Sequence, residues 1–476
     1  RNVGKTTRSR HRVRTCPRAS LAFALAFGMA ANIARPYDLV VYGASGFTGR
    51  LAAEYLARRY TPGSSSAAAA GEPVRWAMAG RDRVKLERVR DEMVAKHPHA
   101  AGKIDVLVGA IDDPAALEAV TSKTNAILSF AGPFALYGMP VVDACVKTAT
   151  HYADITGEPT FIRDVIDKHD AAAKASKTCV VNCVGYDSVP WDLGAWAVAK
   201  FLKERNGATC VEAYGHAGDA KGGVSGGTIA SALHLMSSTS TSVMRKMASP
   251  HFLTRVDTSR DLDADAQRRW ATQATPKFDE DLKRWTMPSV MAGINTKVVA
   301  RSAELEPETF DARLFAYNES DACSSRFGAF VGTAALGLFG ALLVFPPTRW
   351  ALARFALPKP GEGPSESLRE NGFANVYVVG TGASNDGDAS SATHKAVAHF
   401  SFRNADPGYK GTAALAVEAA LCLALPAERE KTPGSSRGGV LTPAAALGST
   451  LVDRIDRCDV LGFDVKTLEE TDFVMQ

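Results

Sequence analysis

A chain of 476 residues, 46% hydrophobic and 22% charged, has the composition of a folded protein and the length for two or three domains. Its net charge of +4 is unevenly placed: residues 1–36 hold eight basic and no acidic residues, leaving 47 basic against 51 acidic in the rest. That mildly acidic body argues against a nucleic-acid surface, and eight scattered cysteines with no CxxC argue against a zinc site or a disulfide framework.

The first 36 residues have three readings: an organelle transit peptide, a signal peptide with its apolar core over Leu21–Ala31, or an over-extended gene start. On the first, the protein would belong in a mitochondrion or another organelle.

From residue 37 the chain alternates. Leu39–Tyr42 is an apolar run suited to a strand buried in a parallel sheet, and residues 50–60 have helix composition. Between them stands Gly43-Ala-Ser-Gly-Phe-Thr-Gly49. A glycine turn between strand and helix lets a pyrophosphate approach the free N–H groups at the helix start. The spacing is GxxGxxG, so the turn counts for its context more than for its letters. Gly43, Ser45, Gly46, Phe47, Thr48 and Gly49 are the expected cradle.

A low-complexity linker follows at 61–71. Strands are then predicted at 74–79, 104–108, 126–131, 151–155 and 178–184. Helices are predicted at 83–95, from 114 to 120, near 138–149 and at 161–175. Six strand–helix alternations predict a Rossmann-type doubly wound parallel sheet over residues 37–184. Residues 185–476 are predicted to form an α+β domain with a largely antiparallel sheet. Its strands are expected at 211–216, 375–380 and 395–403, and its helices at 229–248 and 413–424. Residues 250–300 read as polar and irregular, and 426–437 as a linker.

Phe327–Phe345 carries no charge and reaches the ~17–25 residues that a membrane span needs. A single crossing would put the strands at 375–403 on the far side from 211–216. Insertion into one face of a membrane is therefore preferred over a span or a buried core helix. Trp350–Leu357, with its aromatics and Arg354, suits an interface.

The second strand ends in Gly80-Arg81-Asp82. NAD sites place an acid at this tip, whereas NADP sites offer arginine to the 2′-phosphate. Arg81 therefore predicts NADP, and Asp82 suits capping of the next helix. Gly132-Pro133, at the end of the fourth strand, would admit the nicotinamide ribose. Tyr152, Asp154, Glu158, Asp187 and Ser188 stand at the ends of the fifth and sixth strands, in reach of substrate binding, proton relay or helix capping. Tyr152 and Asp187 are the candidates for the proton path. No metal constellation is present in the sequence. Gly222–Ser231 is a glycine-rich helix entry, suited to an anion or to a tight connection.

Taken in order, these motifs resemble the saccharopine dehydrogenase-like oxidoreductases. The resemblance also takes in Tyr137-Gly138, Tyr152–Glu158, Gly185–Pro190 with Asp192–Gly194, Ser225–Thr228 and Gly438–Pro443, and runs from about 37 to 470. The family includes the mycobacterial trans-acting enoyl reductases. Its animal members carry a hydrophobic segment where this chain has 327–345 and associate with lipid droplets and membranes. True saccharopine reductases have an Asp-Pro-Gly type turn after the sixth strand, where this chain reads Asp187-Ser-Val-Pro190.

The resemblance implies an NADP-dependent oxidoreductase acting on an enoyl or carbonyl group of a lipid-type substrate at a membrane or lipid-droplet surface. Lysine-pathway saccharopine chemistry and a non-catalytic NADP-binding scaffold are the alternatives. A second copy of the chain is an open partner.

Overall fold

The computed structural model describes residues 35–64, 73–223, 239–255, 264–355, 362–384 and 392–468, with a few positions between 231 and 237. The basic extension up to residue 34 and the Ser225–Thr228 motif lie outside the described residues. The helix expected at 229–248 is described only in part.

The first sheet is built by strict alternation. The order is β1 (Tyr37–Tyr42), α1 (Phe47–Arg59), β2 (Trp76–Gly80), α2 (Arg83–Lys96), β3 (Asp105–Val108) and α3 (Pro114–Thr121). It continues through β4 (Thr124–Ser129), α4 (Phe134–Lys147), β5 (His151–Asp154), α5 (Pro159–Ala175) and β6 (Cys179–Val181). All pairings are parallel, in the order β3-β2-β1-β4-β5-β6, with Val41 opposite both Met78 and Leu128. The order reverses between β1 and β4, and at that switch point the carboxyl ends of the strands leave a crevice. β1, β2 and β4 are buried almost throughout, which is why they read as continuous apolar runs.

The rest of the chain follows α6 (Val189–Asn206), β7 (Ala208–Lys221), α7 (Thr241–Met247), α8 (Ala264–Arg269), β8 (Lys277–Asp279), β9 (Arg284–Pro288), α9 (Ala292–Leu305) and β10 (Ala316–Cys323). Next come α10 (Arg326–Val344), α11 (Pro346–Phe355), α12 (Glu366–Glu370), β11 (Phe373–Ser384), β12 (Ala392–Phe402) and α13 (Thr412–Ala424). The described chain ends with α14 (Pro426–Arg429), α15 (Pro433–Arg437), β13 (Gly439–Leu441), α16 (Pro443–Asp456) and β14 (Leu461–Thr467).

The second sheet has the order β14-β12-β11-β7-β10-β9-β8, and only its β7–β10 pair is parallel. α6 packs on one face, with Gly194 against Val378 and Trp191 against Gly215, where added side chains would collide. The irregular reading of 250–300 gives way to β8, β9 and the buried helix α9. The linker reading of 426–437 gives way to the short helices α14 and α15.

The chain then returns to the first sheet. β13 pairs with β6 as its seventh strand, and α13 lies in the core with Leu39, Val41 and Leu128. Residues beyond 184 therefore complete the nucleotide-type sheet.

α10 is the longest helix of this half and is apolar, yet it lies mostly in the open. Only Ala329 is buried, and Phe327 is 79% exposed. It packs on β9, with Gly332 against Met287 and Arg326 over the Trp285 ring at 5.3 Å. By length and composition it could cross a membrane. Strands before it (β7, β10) and after it (β11, β12) share one sheet, so the two flanks lie on the same side of the helix's excursion.

Candidate functional site

The turn after β1 has the shape a dinucleotide needs. Gly43 has φ +79°, and a Cβ there would lie 3.0 Å from the Ala131 amide nitrogen. A Cβ on Gly49 would collide with the Gly43 carbonyl oxygen. Gly46 is exposed and donates its N–H to the Gly43 carbonyl at 2.9 Å. No side chain caps α1 and no acid sits in its first turn, so its positive end is left for an anion. Ser45, Phe47 and Thr48 flank this end, each half-buried.

Beyond β2, Asp82 accepts a hydrogen bond from the Lys85 N–H at 3.1 Å, so it caps α2. Arg81 is exposed and makes no hydrogen bond or ion pair among the described residues. It stands near Tyr42, whose hydroxyl donates to the Gly109 carbonyl at 2.8 Å. Burial pushes the Tyr42 phenol up to about 12, with the Arg81 charge opposing. A guanidinium beyond β2 with no partner among the described residues, and with the next residue Asp82 spent on a cap, fits the 2′-phosphate of NADP.

Gly132 is exposed beyond β4, and the Gly132–Pro133 peptide is cis. Pro133 sits at the N-terminal boundary of α4. Glu158 accepts from the Phe134 and Ala135 N–H groups at 2.9 and 2.8 Å. Both its oxygens therefore serve the start of α4, which is the capping role among the options for this residue.

Asp154 ties the ends of β5 and β6 together. It accepts from the Tyr152 hydroxyl at 2.9 Å, the Asn182 amide at 2.8 Å and the Thr156 N–H at 3.0 Å. Burial pushes its carboxyl up to about 7 against these bonds. Tyr152 has no exposed surface and acts on its surroundings through Asp154. Ser188 occupies the N-cap position of α6 without a side-chain capping bond.

Asp187 is different. It is partly exposed, makes no hydrogen bond or ion pair among the described residues, and is pushed up to about 6 by its enclosure. Tyr186 beside it is held edge-on by Trp191 at 5.2 Å and Phe402 at 5.3 Å. Burial keeps the Tyr186 phenol protonated, helped by the charges of Asp187, Asp321 and Glu319.

Those last two carboxylates come from β10 and were not foreseen. Glu319 is fully buried and accepts from Asn295 at 2.9 Å, Ser289 at 3.0 Å and Tyr317 at 3.2 Å; burial pushes it up to about 8. Asp321 is pushed up to about 6 by burial. In sequence, only their alternation with Tyr317 along one strand could have grouped them. A cavity of about 600 Å³ on the second sheet, lined among others by Asn375, His399, Arg403 and Asp464, includes neither Asp187, Glu319 nor Asp321 and meets the group around Tyr186 only at Phe402. No metal-holding cluster occurs among the described residues.

A glycine turn, an arginine with no partner among the described residues and titratable groups at the next strand ends are features that fit an NADP-dependent oxidoreductase. Residues 39–180 match the family model of the saccharopine dehydrogenase NADP-binding domain. Over the whole chain, a trans-acting enoyl reductase of Mycobacterium leprae is 32% identical over 447 residues, covering 90% of this chain and 97% of its own. One of Mycobacterium tuberculosis is 31% identical over 439 residues with the same coverage. The chain belongs to the saccharopine dehydrogenase-like oxidoreductases. Among solved structures, apo saccharopine dehydrogenase (L-Glu forming) from Saccharomyces cerevisiae is similar to 90% of this chain and 99% of its own, with 13% identity and a TM-score of 0.42.

Proposed function

We propose that this protein uses NADPH to reduce an enoyl or carbonyl group of a lipid-type substrate at a membrane or lipid-droplet surface. The observation that carries the reading is the exposed apolar helix α10, which starts at Arg326, directly after the strand that holds Glu319 and Asp321. An acyl chain lying on that helix would have its reactive end beside those groups. The names of the mycobacterial relatives support enoyl chemistry. Saccharopine needs cationic partners for its carboxylates, and the charged or titratable groups acting on Tyr186 are Asp187, Asp321 and Glu319, none of them basic.

When bound, the cofactor supplies a hydride from its nicotinamide. The chain's own residues do the rest. Gly43, Ser45, Gly46, Phe47, Thr48 and Gly49 seat the diphosphate, and Arg81 selects the 2′-phosphate. Gly132 and Pro133 leave room for the nicotinamide ribose. Asp187 gives a proton to the carbon next to the carbonyl as the double bond is reduced, and Tyr152 positions the β5 end through Asp154. A carboxyl near 6 is close enough to neutrality to act as a general acid.

The test is NADPH oxidation by the full-length chain with long- and short-chain enoyl thioesters, set against 2-aminoadipate semialdehyde plus glutamate. Long-chain enoyl turnover is expected; turnover only of the semialdehyde would overturn the reading. The donor works protonated, so the enoyl rate should fall as pH rises through about 6. Asp187→Asn should lower the rate at least about tenfold and remove that limb. An unchanged pH profile would take the proton from Asp187.

A further inference from the structure

Three stretches of the second half converge on the residue that opens α1. The Phe47 ring meets Tyr409 edge-on at 5.3 Å and the Arg369 guanidinium at 5.5 Å. Gly363 passes so close that a Cβ there would strike the ring. The segment carrying Arg369 is tied to the turn before Tyr409: the Ala405 N–H donates to the Gly372 carbonyl and the Asp406 N–H to the Arg369 carbonyl, each at 2.9 Å. Gly222 and Gly223 close the group. Side chains there would come to 3.0 Å of Pro407 and Pro364 respectively. The glycine-rich segment after β7 thus begins at the same place.

The charges in this bracket are unequally used. Asp406 accepts from the Tyr409 and Lys410 N–H groups, both at 3.0 Å. Lys410 is held by Glu370 and the Asn404 carbonyl. Arg369 gives one nitrogen to the Pro364 carbonyl at 2.6 Å, its charge is felt by Asp406, and its other donors make no hydrogen bond among the described residues. It is half-buried, above the ring of the first helical residue, where no acid stands in the first turn. The end of α1 carries only about half a positive charge, against two on a diphosphate. A guanidinium fork matches the geometry of phosphate oxygens and supplies the missing charge.

We infer that Arg369 is a clamp on the diphosphate of the bound cofactor, carried to the nucleotide turn by the second half of the chain. The inference rests on the nucleotide site described above. It makes the bracket of residues 222–223, 363–372 and 405–409 part of that site. The diphosphate is common to NADPH and NADH, whereas Arg81 addresses a group that only NADPH has. The two arginines therefore leave different signatures.

The experiment is a fluorescence titration of the full-length chain with each reduced cofactor. Arg369→Met keeps an unbranched stem over Phe47 and removes the charge. It should weaken NADPH and NADH by the same factor, about tenfold for a charge-assisted pair. Arg81→Ser should weaken NADPH alone. Arg369→Lys should recover part of the loss for both cofactors. Unchanged binding of both by Arg369→Met would overturn the inference and leave a structural stack on Phe47. Loss of NADPH alone would overturn it too, by moving Arg369 to the 2′-phosphate. Should Arg369→Met not fold, Arg369→Lys decides: a smaller loss shared by both cofactors supports the clamp, and no loss overturns it. Binding by the unmodified chain tests the nucleotide site itself, so the two failures are distinct.

Discussion

α10 and α13 are both apolar helices, and the molecule treats them oppositely. All thirteen residues of α13 are buried, while of the nineteen in α10 only Ala329 is. α13 has six alanines, which let it lie close against α1 and the ends of β4 and β5. Its one charge, Glu418, is answered from outside the helix: Tyr55 and Tyr60 each donate to it at 2.6 Å, and Arg454 pairs with it at 2.8 Å. α10 turns Phe327, Val331, Leu338 and Val344 outward and has no such partners on that side. Between Arg326 and Phe355 there is no acid, only Arg326, Arg349 and Arg354. An apolar composition therefore says that a helix needs a non-aqueous neighbour, not which one. α13 finds its neighbour in the first sheet, and α10 leaves room for an outside one.

The largest effect should come from the buried charge. Glu418→Ala would leave Arg454 inside the core with only the more distant Glu428 at 3.9 Å, and two phenols without their acceptor, costing about 3–5 kcal/mol. Denaturant unfolding would measure it. A loss below about 1 kcal/mol would mean that the network is relaxed by water and does not fix α13.

The next test removes apolar contact from each helix in turn. Leu421→Ala, at a fully buried position, should cost about 2–5 kcal/mol. Leu338→Ala, at a position 64% exposed, should stay within about 0.5 kcal/mol. Equal losses at both sites would erase the contrast between the helices, because α10 would then be packed against something in solution.

How far the sequence carried this molecule follows the same line. β1 to β6 were legible because strands buried on both faces and helices with one apolar face leave strong local periods. The glycine turn and the placement of Arg81 beyond β2 were legible because both depend on neighbours in the chain. β13 was not, since three residues of Gly-Val-Leu carry no period. α9 was hidden because Asn295, Lys297 and Arg301 make it look polar, although all three are buried. Asn295 donates to Glu319 on β10, and Arg301 donates to the Leu253 and Val440 carbonyls. The β10 carboxylates come within electrostatic reach of Tyr186, the neighbour of Asp187 in the chain, only through the fold. Tyr152 was read from its place at a strand end, and burial routes its hydroxyl to Asp154 instead of to open space.

The smallest effect on stability should be the one most telling for function. Leu338→Asp places a charge on the exposed face of α10 and should leave unfolding within about 0.5 kcal/mol of the parent. Binding to lipid vesicles would respond very differently. Each apolar group withdrawn from a membrane interface weakens binding, and a carboxylate also opposes the three flanking arginines against an anionic surface. Co-sedimentation with vesicles of mixed phosphatidylcholine and phosphatidylserine should therefore fall about tenfold or more for Leu338→Asp. The control is Val84→Asp on α2, at a position 66% exposed and in the first half of the molecule, which should sediment like the parent. Loss in both variants would mean that added negative charge alone repels the vesicle. Loss in neither would mean that α10 answers to a partner other than lipid. Loss in Leu338→Asp alone, with unfolding unchanged, would separate a helix that holds the fold from one that holds a surface.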